Sequence, residues 1–334
     1  MDRISRRIVD ELAASFEIDG RKLFVSASVG VAFYPNDGED SAELIKKADS
    51  AMYRAKELGR NRVEFFKSEL HVRLLRQAAL ESGLREALRG EGLRLVYQPK
   101  FKLSTTRRLV GAEALLRWQD PTLGNVSPSE FIPAAETSGL IVALDDYVVG
   151  LLMTHLANWL QLGIIPPRIA FNASPRSLRE PHFAERLLER AEQAGVPESL
   201  LQLEITEGAL MDNNEHALNN LHRLHEAGVR VSVDDFGTGY SSLGYLKHLP
   251  IDELKIDKSF VDGLGQDKED EAIARAVLGM AHALDLTTVA EGIETDRQLT
   301  WLMRAGCDIG QGYFLKKPME MVDFEDLLAT RAKG

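Results

Sequence analysis

A single cysteine, Cys307, in 334 residues excludes an internal disulfide and any metal cluster built on thiolates, and it fits a reducing compartment. Basic charge is also scarce: 40 Lys and Arg stand against 51 Asp and Glu, a formal net charge of -11. That balance argues against a broad electrostatic footprint for duplex nucleic acid. It leaves room for a small phosphorylated ligand, because metal ions reverse the sign of a site locally. The eight histidines are scattered, His222 and His225 read as part of a solvated helix face, and no Ser-His-Asp grouping emerges. No apolar run reads as long enough for a membrane span, and MDRISRRIVDELAASFE lacks the apolar centre of a signal peptide. The chain reads as cytoplasmic, with no direct membrane contact of its own.

What is present divides into unlike parts. KLFVSASVGVAFYP (22–35) reads as a strand ended by Pro35, followed by the turn residues NDGED. SAELIKKADSAMYRAKELG (41–59) reads as a helix with Ser41 as N-cap, an apolar stripe of Leu44, Ala48, Ala51, Met52 and Ala55, and Gly59 at its C-terminal cap. NRVEFF (61–66) is a second short strand, and residues 67–92 suit a connecting helix. The segment SVGVAFYPNDGEDSAELIKKADSAMYRAKELGRNRVEFF resembles the C-terminal part of a GGDEF (diguanylate cyclase) domain, through SVGVA, the YP-DG turn, AD-AMY-AK and GRNRV. The nucleotide-binding front and the GGDEF loop of that family have no counterpart here. The resemblance therefore implies kinship without cyclase activity, and residues 1–66 read as a fragment or remnant of a partial α+β domain. A membrane anchor ahead of residue 1 in a longer parent is compatible with that reading.

From residue 93 to 334 strand-like runs alternate with helical patterns. The expected strands are 93–99, 110–118, 168–174, 201–206, 230–235, 253–257, 287–292 and 308–315, with helices at 139–162, 180–194, 214–227 and 269–284 among them. Eight strands alternating with helices point to an α/β fold, a (β/α)8 TIM-type barrel, with a doubly wound open sheet as the alternative. A short turn, not a helix, follows the first strand, which is therefore the one expected to run antiparallel.

Polar residues recur at the ends of these strands, where barrel chemistry gathers. Glu113 lies in the otherwise apolar VGAEALLRW, Asn172 ends IAFNAS, and Glu204 and Glu207 end LQLEITE. VSVDD ends on Asp234 and Asp235, DELKID carries Lys255, TVAEGIE carries Glu291, and GQGYF carries Gln311. Adjacent acids cannot face one way along a continuing strand, so the pair marks a strand mouth. Carboxylates converging on one mouth repel unless cations neutralise them. An all-oxygen donor set favours Mg²⁺, Mn²⁺ or Ca²⁺ over zinc. Each residue also has a plainer reading: Glu113 paired with Arg117, Asn172 as a strand-end cap, Lys255 as a solvated edge lysine, and Glu207, Asp257 and Glu294 as loop anchors. GTGYSSLG lacks the Lys-Ser/Thr ending of a phosphate-cradling loop. Tyr240, Leu243, Tyr245 and Leu246 suit either a partner surface or packing beneath that loop.

The same residues carry a close resemblance, over about 84–320, to the EAL family of cyclic di-GMP phosphodiesterases. Its motifs are YQP (97–99), EALLRW (113–118), NAS (172–174), EITE (204–207), DDFGTGYSSL (234–243), LKIDKSFV (254–261), AEGIET (290–295) and QGYF (311–314). The resemblance implies a (β/α)8-type barrel that hydrolyses cyclic di-GMP to linear pGpG with two Mg²⁺ or Mn²⁺ ions per site, Ca²⁺ being inhibitory. It assigns Glu113, Asn172, Glu204 and Asp234 to one metal, and Asp234, Asp235 and Glu291 to the surroundings of the second. It makes Lys255 the contact of the nucleophilic water, Glu207 the anchor of the DDFGTG loop, and Gln98, Arg117 and Gln311 substrate- or site-organising residues; the chemistry of such a site makes Glu291 the candidate proton acceptor. It also implies a homodimer through the barrel near that loop. Three positions depart from the family pattern: Lys100, where an apolar residue is common, Ser177, in place of a frequent glutamine, and LKKP (315–318). A catalytically silent cyclic di-GMP receptor and a metal-dependent barrel enzyme acting on sugar phosphates are the competing readings.

Overall fold

The computed structural model describes residues 2–13, 16–18, 21–23, 25–35, 37–66, 68–211, 214–237 and 249–331. The chain divides into two compact units, Met1–Ser82 and Gly83–Gly334.

The first unit opens with helix α1 (Asp2–Ala13), which the sequence patterns did not reveal. Where one strand is expected over 22–35 there are two, β2 (Arg21–Leu23) and a separate β3 (Ser28–Val31), and β2 pairs antiparallel with β1 (Phe16–Ile18) ahead of it. Strand β3 runs parallel to β4 (Arg62–Phe65), and α2 (Ser41–Glu57) packs on that pair. Gly30 permits the approach, since a Cβ there would lie 1.9 Å from the Ala48 carbonyl oxygen. The N-cap of α2 is Asp40, not Ser41: its carboxylate accepts from Glu43 N, and an aspartate on the preceding residue takes the role that a serine also fills. The helix ends at Leu58, with Gly59 next in left-handed backbone, φ +106°. Helix α3 (Ser68–Ala87) then leads into the second unit.

The second unit is a closed ring of eight strands. In chain order they are β5 (Leu93–Lys102), β6 (Leu109–Asp120), β8 (Arg168–Asn172), β9 (Leu201–Thr206), β10 (Arg230–Phe236), β11 (Glu253–Ile256), β12 (Thr287–Ala290) and β13 (Ile309–Gly310). A short β7 (Gly124–Val126) hairpins back onto the end of β6. Strands β6 and β8 to β13 are parallel neighbours in that order, whereas β5 is antiparallel to both β6 and β13 and closes the ring between them. Closure excludes the open doubly wound sheet, and the antiparallel first strand is the departure that its short following turn predicts. Strand β13 stops early because Gly312 lies against Ile293: a Cβ at 312 would fall 2.2 Å from that residue's backbone N and O. The chain leaves the sheet there and hydrogen-bonds to the loop after β12.

Helices α4 (Pro128–Ser138), α5 (Ile141–Gln161), α6 (Pro175–Leu178), α7 (Phe183–Ala194), α8 (Glu207–Met211), α9 (Glu215–Glu226), α10 (Lys258–Asp262), α11 (Lys268–Ala283), α12 (Asp296–Ala305) and α13 (Met321–Arg331), with a 3-10 turn at Glu198–Leu200, complete the described elements. Helix α5 is long and apolar enough to cross a membrane by length and composition, which corrects the reading that no run is. Its apolarity has a local use: Leu144, Val148, Leu152, Leu156 and Trp159 are buried in the core. That core lies between the strands and their helices, built from outward-facing residues such as Leu203, Ile205, Val231, Val233, Leu254 and Ile256.

Candidate active site

Strand alternation decides which polar side chains enter the ring. Gln98 and Lys100 on β5, Gln202 and Glu204 on β9, Ser232 and Asp234 on β10, and Glu253 and Lys255 on β11 are spaced by two, so each pair shares a face. All are buried except Asp234, which is half-buried at the mouth. Barrels usually fill this space with branched apolar side chains; here it holds two polar tiers.

The upper tier centres on Lys255, which is 1 % exposed. Its Nζ lies 2.5 Å from Glu291 Oε1, 2.9 Å from Glu204 Oε2, 3.0 Å from Asp234 Oδ2 and 3.9 Å from Glu113 Oε2. The plainer reading of Lys255 as a solvated lysine is therefore excluded. Glu113 accepts from Asn172 Nδ2 at 2.9 Å and from Gln311 Nε2 at 2.7 Å. Arg117, offered as its partner, instead donates from Nη1 to the Leu116 carbonyl. Gln311 Nε2 also reaches Gln98 Oε1 at 3.0 Å, and Gln98 Nε2 donates to the Lys316 carbonyl at 3.3 Å. Glu113, Asn172, Glu204, Asp234, Lys255, Glu291, Gln311 and Gln98 thus form one connected group, one residue from each of the eight strands of the ring or the segment that follows it.

The adjacent acids at 234 and 235 are accommodated by a bulge. The register between β10 and β11 shifts between Val233 and Phe236, and Asp235 takes a left-handed φ of +53°. Such backbone is uncommon outside glycine, though aspartate tolerates it better than most. Asp235 N donates to Asp234 Oδ1, and Gly237 N donates to Glu207 Oε2 at 3.0 Å. Residues 238–248, which hold most of the DDFGTGYSSL motif with Tyr240, Leu243, Tyr245 and Leu246, lie outside the described residues. Asp257 caps the N-terminus of α10 through Ser259 N, and Glu294 pairs with Lys258 at 2.5 Å, both as loop anchors. Ser177 is buried with its hydroxyl on Asp145 Oδ2 at 2.6 Å, so it serves the turn after β8.

The electrostatics divide these acids. Burial pushes Glu291 up to about 8, against the pull of Lys255 and with help from Asp234. Burial, then Asp234 and Asp257, pushes Asp235 up to about 6. Glu113 is raised by burial and by Glu204. Glu204 goes the other way: although burial opposes its charge, Lys100 and Lys255 hold it at about 2. Lys255 is held well above its usual range by Glu113, Glu204, Glu291 and Asp234, which together outweigh its burial. Among the described residues, no three acids converge closely enough to grip an ion as they stand, since the Lys255 ammonium occupies their centre.

The lower tier escaped the sequence reading. Lys100 Nζ lies 2.5 Å from Glu204 Oε1 and 3.7 Å from Glu253 Oε1. Glu253 Oε1 also accepts from Gln202 Nε2 at 2.6 Å and Ser232 Oγ at 3.1 Å. A signal existed: each upper-tier acid or lysine on β9, β10 and β11 has a polar residue two positions earlier.

Fold and site together define a (β/α)8-type barrel whose strand ends gather carboxylates, amides and one central lysine. A family model described as EAL domain matches residues 81–318, and one described as Diguanylate cyclase, GGDEF domain matches residues 1–62. The chain belongs to the EAL domain family, with a short GGDEF-type segment ahead of the barrel. It is 41 % identical over 330 residues to Cyclic di-GMP phosphodiesterase NbdA of Pseudomonas aeruginosa, covering 97 % of this chain and 41 % of that protein. It is 39 % identical to Bifunctional diguanylate cyclase/cyclic di-GMP phosphodiesterase MucR of the same organism, covering 98 % of this chain and 47 % of that one. The chain thus spans less than half the length of these curated relatives. Among solved structures, the PaMucR phosphodiesterase in complex with c-di-GMP aligns at a TM-score of 0.70 and 39 % identity, over 74 % of this chain and 99 % of that chain. The EAL domain of Mycobacterium smegmatis DcpA aligns at 0.60 and 35 %, over 72 % and 97 %.

Proposed function

We propose that this chain hydrolyses cyclic di-GMP to linear pGpG with two divalent metal ions, Mg²⁺ or Mn²⁺. The observation that carries the reading is the convergence of Glu113, Asn172, Glu204, Asp234 and Glu291 around Lys255 at the strand ends. The residues fit hard cations. Their donors are all oxygen, and burial and mutual repulsion still raise Glu113, Asp235 and Glu291 despite the two buried lysines, Lys255 and Lys100. Two such ions, when bound, would acidify a water and neutralise the phosphodiester and the leaving oxygen. Glu113, Asn172, Glu204 and Asp234 would hold one ion, and Asp234, Asp235 and Glu291 would surround the other.

The chain's own groups supply the rest. Lys255, cationic and buried, orients the attacking water and adds positive charge where the phosphorane charge develops. Glu291, whose carboxyl burial raises to about 8 in the absence of metal, would accept the water's proton once bound cations ionise it. Gln311 bridges Gln98 and Glu113, and so links the substrate-facing end of β5 to the acid cluster. Glu207 holds the turn after Asp235 through Gly237 N.

The test is chromatography of cyclic di-GMP incubated with the purified chain, with Mg²⁺ or Mn²⁺ and again with a chelator. Formation of pGpG only with metal is the expected result. Binding of the intact dinucleotide without product would make the chain a receptor, and neither binding nor cleavage would refute the reading.

A further inference from the structure

Glu204 is fully buried, and its two carboxylate oxygens are held by different lysines from opposite sides. Lys255 on β11 takes Oε2 at 2.9 Å at the mouth, and Lys100 on β5 takes Oε1 at 2.5 Å from the lower tier. We propose that Lys100 is a positioning residue for metal binding: it fixes Glu204 from behind, so that Oε2 alone faces the mouth as a ligand. This inference rests on the metal reading above.

The geometry gives Lys100 two separable partners. It anchors Glu204, and it also lies 3.7 Å from Glu253, whose hydrogen bonds come from the neutral groups Gln202 and Ser232 and whose charge is also felt by Arg168. Lys100 sits on the far side of the Glu204 carboxylate from the mouth, so its charge steers the ligand more than it repels an ion. A carboxylate freed at Oε1 turns about its terminal torsion, which is a broad one, and loses the orientation on which a preorganised site depends. A purely structural lysine would instead matter only through the stranded charge of Glu253.

Four proteins separate these roles: wild type, Lys100→Met, Glu253→Gln and the double variant. The double variant has no stranded Glu253 charge and is the one expected to fold even where Lys100→Met does not. The metal-stripped proteins are titrated with Mn²⁺ by calorimetry, and turnover of cyclic di-GMP is measured in parallel. The expected result is that the double variant binds Mn²⁺ at least about tenfold more weakly than Glu253→Gln, the size of effect seen when a ligand's supporting partner is removed. Its kcat falls, with KM for cyclic di-GMP little changed. Equal or tighter Mn²⁺ binding by the double variant overturns the proposal, because Lys100 then acts only on Glu253 or as plain repulsion. Absence of Mn²⁺ binding by the wild type overturns the metal reading itself, and this inference with it.

Discussion

Glu113 accepts hydrogen bonds from Asn172 and Gln311 while lying 3.9 Å from the Lys255 ammonium, so one carboxylate connects the amide side of the site to its charged centre. Replacing it with alanine removes a proposed ligand but also relieves repulsion from Glu204 and Asp234. The expected outcome for Glu113→Ala is a kcat reduced by more than about a hundredfold, beyond the effect of losing an outer partner, with an unchanged circular dichroism spectrum. Near-normal turnover would remove Glu113 from the metal set. Glu291 makes a prediction of opposite character. Its folded carboxyl titrates near 8, above the ordinary value, so the metal-free folded state binds this proton more tightly than the unfolded chain. Its contribution to stability is present at low pH and is lost as pH rises from the ordinary carboxyl range through about 8. The melting temperature of chelated protein should therefore fall over that window more steeply than that of Glu291→Gln. Added Mg²⁺ should reduce the difference, and parallel slopes for the two proteins would contradict it.

At the scale of elements, the short β13 and the loop after β12 act as one piece. Gln311 N donates to the Ala290 carbonyl, Ile293 N to the Gln311 carbonyl, and Phe314 N to the Ile293 carbonyl, which holds Gln311 beside Glu113. The close approach depends on Gly312, where an added Cβ meets rigid backbone and not the flexible end of a side chain. Gly312→Ala is expected to cost about 1–3 kcal/mol in a urea unfolding experiment, the range for overpacking, and to lower turnover by displacing Gln311. A variant with unchanged midpoint and unchanged kcat would mean that the two segments are not mechanically tied. The bulge in β10 is the counterpart on the other side of the ring. Its left-handed Asp235 interrupts the alternation that would send adjacent acids of a regular strand to opposite faces.

For the molecule as a whole, the division at Ser82 and Gly83 separates the GGDEF-type segment from a ring with its own core. Every residue assigned to the site lies in the second unit. The chain 83–334 expressed by itself is therefore expected to unfold cooperatively and to cleave cyclic di-GMP at a rate comparable to that of the whole chain. A folded but inactive 83–334 would assign the first unit a direct part in activity. The net charge of -11 adds a constraint at the same scale: on the proposed reading, an anionic dinucleotide would approach an acidic protein, and bound cations at the mouth would have to reverse that sign.

Much of this was legible in the sequence because strands and helices are local patterns. The eight strands, the polar residues at their ends and the odd first strand all follow from alternation, spacing and one short turn. Asp40 in place of Ser41 and the early end of β13 were not legible to that depth, since a cap depends on one hydrogen bond and a strand end on a contact with Ile293. Nor was the partnership of Lys100 with Glu204, residues 104 positions apart that meet only because β5 runs antiparallel inside a closed ring. The sequence alone determined, through period-two alternation, which side chains share a face on each strand, though not that the lower polar tier is buried inside the ring. Only the tertiary structure decided which of them meet, because neighbours across a barrel are set by register and closure, and these depend on contacts distant along the chain.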